Sequence, residues 1–198
     1  MFLSSISLII SNLIPLVGVL ILNWSIYPIL IAYWIENIIV GYFTYIKIPL
    51  LKGTNTNKSI LSLFHIPNMP EKMIVDRFLR DYSLFCIVHG VLLFIFLFWG
   101  VKFEFSFLFS VLLMVVSTFL SHWISYKSNF LGNKEYLKIS PSQQIIMPYS
   151  RIMIMHLVVL MGGLVIESNG YKLVAVVFLI ILKTAMDLGS HLLEHKNG

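Results

Sequence analysis

Charge and cysteine are both scarce in this chain. Only 12% of its 198 residues are Asp, Glu, Lys or Arg, while 58% are hydrophobic. That is too little charge and too much apolar surface for a water-soluble domain, so a soluble globular fold is excluded. The single cysteine, Cys86, lies inside an apolar run. It excludes an intrachain disulfide, and nothing in the cysteine usage points to an oxidising compartment. The opening stretch MFLSSISLIISNLIPLVGVLIL has neither a basic leader nor a small-residue cleavage site, so a retained first helix is expected rather than a signal peptide. There is no internal repeat, no low-complexity tract and no G-x-S-x-G motif. The net charge of +5 could suggest nucleic acid. The basic residues, however, sit in short loops beside apolar runs, where they orient helices in a bilayer, and no nucleic-acid role is assigned.

What the chain does have is long hydrophobic runs. Crossing the hydrocarbon core takes about 20 apolar residues, and six segments qualify: Phe2 to Leu22, Ile26 to Leu51, Arg77 to Gly100, Phe105 to Tyr126, Pro148 to Glu167 and Tyr171 to His195. The fold expected is therefore all-α, a polytopic integral membrane protein whose single domain, residues 1–198, is a bundle of six transmembrane helices. The first two runs are separated by little more than Asn-Trp-Ser, which demands a tight helical hairpin. Two longer polar connections, about 52–76 and 127–147, carry Gly, Pro, Asn and Lys between short apolar pieces suited to the membrane interface. Lys47, Lys52, Lys58, Lys72, Arg77, Arg80, Lys127, Lys134, Lys138, Arg151 and Lys196 all fall on the side of these connections and the termini. The opposite side has only Lys102 and Lys172. The positive-inside rule then places both termini and both long connections in the cytoplasm of a cell-membrane protein.

Against this apolar background the ionisable residues stand out. Lys183, Asp187, His191 and His195 recur every four residues, a step that keeps them within about 40° of one another on a helix and forms one polar stripe. Asp81, His122, Arg151, His191 and His195 fall near the cytoplasmic helix ends, His156 and Asp187 somewhat deeper, and Glu36 and His89 near mid-membrane. A charge at a helix centre costs about 2.5–3.5 kcal/mol on insertion scales. Such groups are expected to be paired, wet or functional.

Histidine is the commonest metal ligand, and a catalytic zinc site needs three protein ligands with one open position. His191 and His195 are spaced to share one ion, with His122, His156 or Asp81 as the further ligand and Asp187 or Glu36 handling protons. On this reading the chain is an intramembrane metal-dependent enzyme, a hydrolase of a lipid or amphiphilic substrate, using zinc or another divalent ion. A second reading is a small transporter or proton-coupled channel with Glu36, His89, Lys183, Asp187 and His156 as a relay. A third is an accessory membrane subunit. In the plainest alternative the charges only fasten helices, with Glu36 paired to Lys183 and Asp81 or Asp187 paired to Arg151. Asn37 beside Glu36 adds a further buried polar group, and Arg151 either snorkels to the headgroups or holds an anionic part of a substrate.

The segments YWIENIIVGYFTYIK, LFCIVHG, SHWISYKSNFLGNKEY, MPYSRIMIMHLVVLMGG and LKTAMDLGSHLLEH together resemble an uncharacterised family of prokaryotic multi-pass membrane proteins, a domain of unknown function. The resemblance covers nearly the whole chain apart from the first connection. It implies six helices and motif positions at Glu36, Asn37, His89, His122, Arg151, His156, Asp187, His191 and His195, but no established activity. The family pattern implies a histidine where this chain has Asp81. A looser similarity is to the membrane ceramidase and adiponectin-receptor group, to whose intramembrane zinc site Thr118-x-x-x-His122, Asp187 and His191-x-x-x-His195 would correspond, although Thr replaces Ser and the number of spans differs.

The orientation is testable by fusion. Green fluorescent protein attached at either terminus should fluoresce, and alkaline phosphatase should be active only when inserted near Lys102 or Lys172. Active phosphatase at the C-terminus would reverse the assigned sidedness.

Overall fold

The structure, a computed structural model, describes residues 2–53, 71–98, 105–146, 148–149, 152 and 172–196. The regular structure among these residues is helical. Helix α1 spans Phe2–Leu20, α2 Ile26–Lys47 with a 3-10 turn over Ile48–Leu50, α3 Glu71–Phe98, α4 Phe105–Ser125 and α5 Lys172–Lys196. Among the described residues four helical stretches are long and apolar enough to cross a membrane: Leu3–Leu20, Ile26–Leu50, Val75–Ile95 and Phe105–Gly132. The run expected over Pro148 to Glu167 lies almost entirely outside the described residues, as does most of the first long connection.

The α1–α2 turn is as short as the sequence required. Backbone bonds from Ile21 to Val17 (2.9 Å), Leu22 to Gly18 (3.1 Å) and Trp24 to Gly18 (3.0 Å) close it. Asn23 takes the left-handed conformation, φ 52°, which asparagine tolerates better than most residues. The Trp24 indole folds back over Gly18, where any side chain would collide with it.

Helix α4 packs on both α1 and α2. Helix α2 also packs on α3, and α1 also packs on α5. Gly41 and Gly90 let α2 and α3 approach closely, one facing the Tyr82 ring and the other the Trp34 indole. The Trp34 Nε1–H donates to the Cys86 carbonyl at 2.8 Å, and the Tyr82 hydroxyl donates to the Asn37 carbonyl at 2.8 Å. These bonds fix the two helices in register. The main core joins all five helices through Val19, Ile29, Leu30, Tyr33, Leu93, Met114, Leu179 and Ile180. The outward faces are just as apolar: Ile10 and Val17 on α1, Leu84, Ile87 and Phe94 on α3, and Leu108 and Leu112 on α4 are all exposed. Hydrophobic surface this continuous calls for a hydrocarbon solvent.

Two boundaries differ from expectation. Helix α3 begins at Glu71, six residues before Arg77, because Glu71, Lys72 and Asp76 place charge around the short apolar run Met73-Ile74-Val75. After α4 the chain does not break at Tyr126. It continues as a π-helical segment over Tyr126–Gly132, followed by a 3-10 turn Glu135–Leu137 and a helical piece over 141–146. This connection is not an interfacial loop along its length, since Asn129, Phe130, Glu135, Ile139 and Ser140 are buried. It is stitched to the bundle by Lys52 and Gly53 N–H bonds to the carbonyls of Tyr136 (2.7 Å) and Ile139 (3.1 Å). The Asn129 amide also donates to Ser4 Oγ at 2.7 Å.

Replacing fully buried Asn129 by Ala leaves the Ser4 hydroxyl without that donor. The Asn129→Ala variant should lose about 1–3 kcal/mol of stability, read as a lower denaturant midpoint in detergent. An unchanged midpoint would mean that the connection does not fasten to α1 through this bond.

Candidate functional site

Three helices each bring a polar side chain to one buried point. Helix α1 brings Asn12, one turn before Pro15, and proline has no N–H for the Ser11 carbonyl, so the regular ladder is interrupted beside Asn12. Helix α2 brings Tyr33 and Glu36, and α5 brings Lys183 and Asp187; spacings of three and four residues put each pair on one face. Lys183 sits at the centre. Its ammonium lies 2.9 Å from Asn12 Oδ1, 3.0 and 2.8 Å from the two carboxylate oxygens of Glu36, and 2.5 Å from Asp187 Oδ2. The Asn12 amide nitrogen donates in turn to Asp187 Oδ2 at 3.2 Å. The ammonium also lies 4.6 Å from the centre of the Tyr33 ring, a cation–π contact.

All five residues are sheltered from solvent. The side chains of Lys183, Glu36 and Asp187 are 8%, 12% and 4% exposed. Asn12 and Tyr33 are also buried. The Tyr33 hydroxyl has no hydrogen-bond partner among the described residues. Among the described residues the cluster holds one cation, Lys183, shared by two carboxylates, Glu36 and Asp187.

Polar groups on α1 continue from this cluster toward Asn129. Ser11, Ser7 and Ser4 follow at steps of about one turn; Ser11 and Ser7 bond the carbonyls of Leu8 and Ser4 at 2.9 Å each, and Ser7 approaches the Ser121 hydroxyl of α4 at 3.3 Å. The stripe ends at Ser4, held by Asn129.

Other expected site residues fall elsewhere. His89 is buried on α3, with its Nδ1 2.9 Å from the Phe85 carbonyl and its ring stacked on Phe85. His122 is half-buried and stacked on Phe43. The Asn37 amide donates within its own helix to the Tyr33 carbonyl at 2.9 Å. Asp81 accepts from Arg77 at 3.4 Å and Arg80 at 3.0 Å, its side chain 39% exposed; its partners are thus on its own helix. Asp187 has Lys183 as an ionic partner; the pairing with Arg151 considered above falls outside the described residues. Arg151 and His156 lie outside the described residues, as do the side chains of His191 and His195 on the last turns of α5. Among the described residues no three His, Cys, Asp or Glu side chains form a group able to hold a metal ion.

The whole of this arrangement lies within one family match. A family model described as a family of unknown function, DUF6498, matches residues 2–198. The chain belongs to this family. No curated protein and no solved structure matches it. Within this DUF6498 chain, Asn12 and Tyr33 are the cluster members that reading the sequence for charges passes over. A lone amide beside a proline in an otherwise aliphatic and seryl helix is the signal that marks Asn12. Tyr33 carries none, because tyrosine is common in membrane helices.

Removing the central cation should be costly. Breaking a buried ion pair by deleting one partner costs roughly 3–5 kcal/mol, so Lys183→Met should sharply lower the unfolding midpoint in detergent. Lys183→Met combined with Glu36→Gln and Asp187→Asn should recover much of the loss, because no uncompensated charge is left. A single variant as stable as the parent would show that the cluster is not formed.

Proposed function

We propose that this chain is a proton-coupled membrane transport protein of six spanning helices, with both termini cytoplasmic in the cell membrane, and that the Asn12–Glu36–Lys183–Asp187 cluster couples proton binding to helix movement. The observation that carries this reading is the cluster itself: three ionisable side chains buried in one hydrogen-bonded set, with one ammonium shared by carboxylates from two helices. Ionisable groups inside membrane helices are functional by default, because their cost is otherwise unexplained. Fastening alone explains them poorly, since polar interhelical contacts in membranes average only about 0.6 kcal/mol.

The geometry favours a moving joint over a fixed hydrolytic centre. Glu36 and Lys183 form an ion pair between helices, so a change in charge there acts directly on how α2 sits against α5. Such an element supplies the two states that coupling requires. The hydrolase reading needs Asp187 or Glu36 as a base, and both carboxylates face the Lys183 ammonium. It also needs a metal ligand set, and its two described members, His122 and Asp81, are engaged with Phe43 and with Arg77 and Arg80. The relay of the transporter reading survives in shortened form: Glu36, Lys183 and Asp187 are together, while His89 binds within its own helix.

The test needs no knowledge of the transported solute. Proteoliposomes adsorbed on a solid-supported electrode and subjected to a pH step should give a transient charge displacement that Glu36→Gln reduces to the background of empty liposomes. Folded parent protein that gives no displacement at any pH would overturn the reading.

A further inference from the structure

We propose that the lysines around the end of α2 and the folded connection after α4 form a binding site for the headgroups of anionic phospholipids. The inference stands apart from the transport reading, since it concerns a different part of the molecule.

The fold assembles this site from segments far apart in sequence. They meet where α1 begins and where α2 and α4 end. The Asn129 amide reaches Ser4 of α1, the Lys47 ammonium lies 5.3 Å from the centre of the Phe130 ring, and Lys52 and Gly53 donate backbone N–H bonds to the carbonyls of Tyr136 and Ile139. These contacts set Lys47 and Lys52 beside Lys127, Lys134 and Lys138 of the connection. Lys52, Lys127, Lys134 and Lys138 are exposed and Lys47 is half-buried. The acidic residue of the same stretch, Glu135, is buried. Setting Lys47 against Glu135 still leaves four exposed lysines at this surface. The neighbouring sequence brings no acid to offset them, because residues 48–70 contain Lys52 and Lys58 but neither Asp nor Glu.

Helix ends account for only part of the set. Lys47 in the last turn of α2 and Lys127 in the π-helical turn that prolongs α4 complement the negative ends of helix dipoles. Lys52, Lys134 and Lys138 lie beyond those ends. The start of α3, which packs near the same place through Phe78 and Ile48, offers the contrast. There Glu71, Asp76 and Asp81 match Lys72, Arg77 and Arg80 in number, and both arginines meet Asp81 at 3.4 and 3.0 Å. Charge is balanced locally on α3 and unbalanced at the connection.

The chemistry of the surface selects its ligand. An ammonium is a hydrated point charge without the planar fork of arginine, so a lysine surface reads negative charge rather than the shape of one headgroup. Exposed Leu50, Trp123 and Leu137 border the lysines, and the Lys127 ammonium lies 5.0 Å from the centre of the Trp123 ring. Aromatic and apolar groups beside cations mark the boundary between hydrocarbon and water. A molecule with an anionic phosphate and hydrocarbon chains meets both halves of this surface. Burial of Asn129 and Phe130 fastens the connection to the bundle, so the lysines are held in place before the lipid arrives and little ordering is needed.

Native mass spectrometry of the full chain in detergent, titrated with dioleoyl phosphatidylglycerol or dioleoyl phosphatidylcholine, tests the assignment. Phosphatidylglycerol should bind more tightly, and the preference should shrink as ionic strength rises. Each lysine beside a membrane contributes roughly a fivefold gain in affinity for anionic lipid. The triple variant Lys52→Gln, Lys134→Gln, Lys138→Gln should therefore bind phosphatidylglycerol at least about tenfold more weakly, with phosphatidylcholine binding unchanged. All three side chains are exposed, so the variant keeps its core, and a triple change to arginine should retain the preference. Lys72→Gln with Arg80→Gln, on the balanced start of α3, should also leave it intact. Equal binding of the two lipids by the parent, or an equal loss in the α3 variant, overturns the proposal. Displacement of phosphatidylglycerol by excess inorganic phosphate would assign the surface to a soluble anion, and displacement by an RNA oligonucleotide would assign it to nucleic acid; either overturns the lipid assignment.

Discussion

An ammonium ion buried among helices must find an oxygen for each of its N–H bonds, and Lys183 finds them on Asn12, Glu36 and Asp187. That requirement ties α1, α2 and α5 to one another at a defined depth. Each charge placed in a membrane helix costs about 2.5–3.5 kcal/mol on insertion scales, and mutual pairing offsets much of that for a single cation and a single anion. Here one ammonium is shared by two carboxylates, Glu36 and Asp187, from different helices.

The surrounding packing ties the helices together mainly through neutral hydrogen bonds and close contacts. The Gly18–Trp24 closure turns the chain from α1 into α2 within a few residues, and Asn12 and Glu36 both reach the Lys183 ammonium. The Trp34 and Tyr82 hydrogen bonds lock α2 to α3, and the Asn129–Ser4 bond locks the folded connection to α1. The joint between α2 and α5 is different, because its polar link is an ion pair whose strength depends on charge.

Much of the architecture was legible in the sequence because hydrophobic runs report directly on helices in a bilayer. The all-helical fold and the tight first hairpin followed from run length and spacing, the family from the resemblance of several motifs, and the pairing of Glu36 with Lys183 was one of the alternatives that charge suggested. The helix start at Glu71 was not legible, since charged first turns look like a loop. The π-helical segment past Tyr126 was hidden for a related reason: its Asn, Lys and Gly read as punctuation, while Asn129 is in fact buried against Ser4. The four-residue stripe of α5 suggested one pocket of lysine, aspartate and two histidines, and the described part of it, Lys183 and Asp187, turns toward Asn12 and Glu36. Charge pairing across helices depends on which faces meet, which no periodicity within a single helix discloses. That is why Asn12 and Tyr33 were missed and why Asp81 was weighed as a ligand although its own helix supplies Arg77 and Arg80.

Exchanging the two charges across the α2–α5 joint tests the central arrangement most directly. Glu36→Lys alone and Lys183→Glu alone each place uncompensated charge in the cluster, whereas the double exchange restores one cation facing two carboxylates. Denaturant unfolding in detergent should show both single variants strongly destabilised and the double variant recovered most of the way to the parent. A double variant no more stable than the worse single one would contradict a direct Glu36–Lys183 contact and the proton switch built on it.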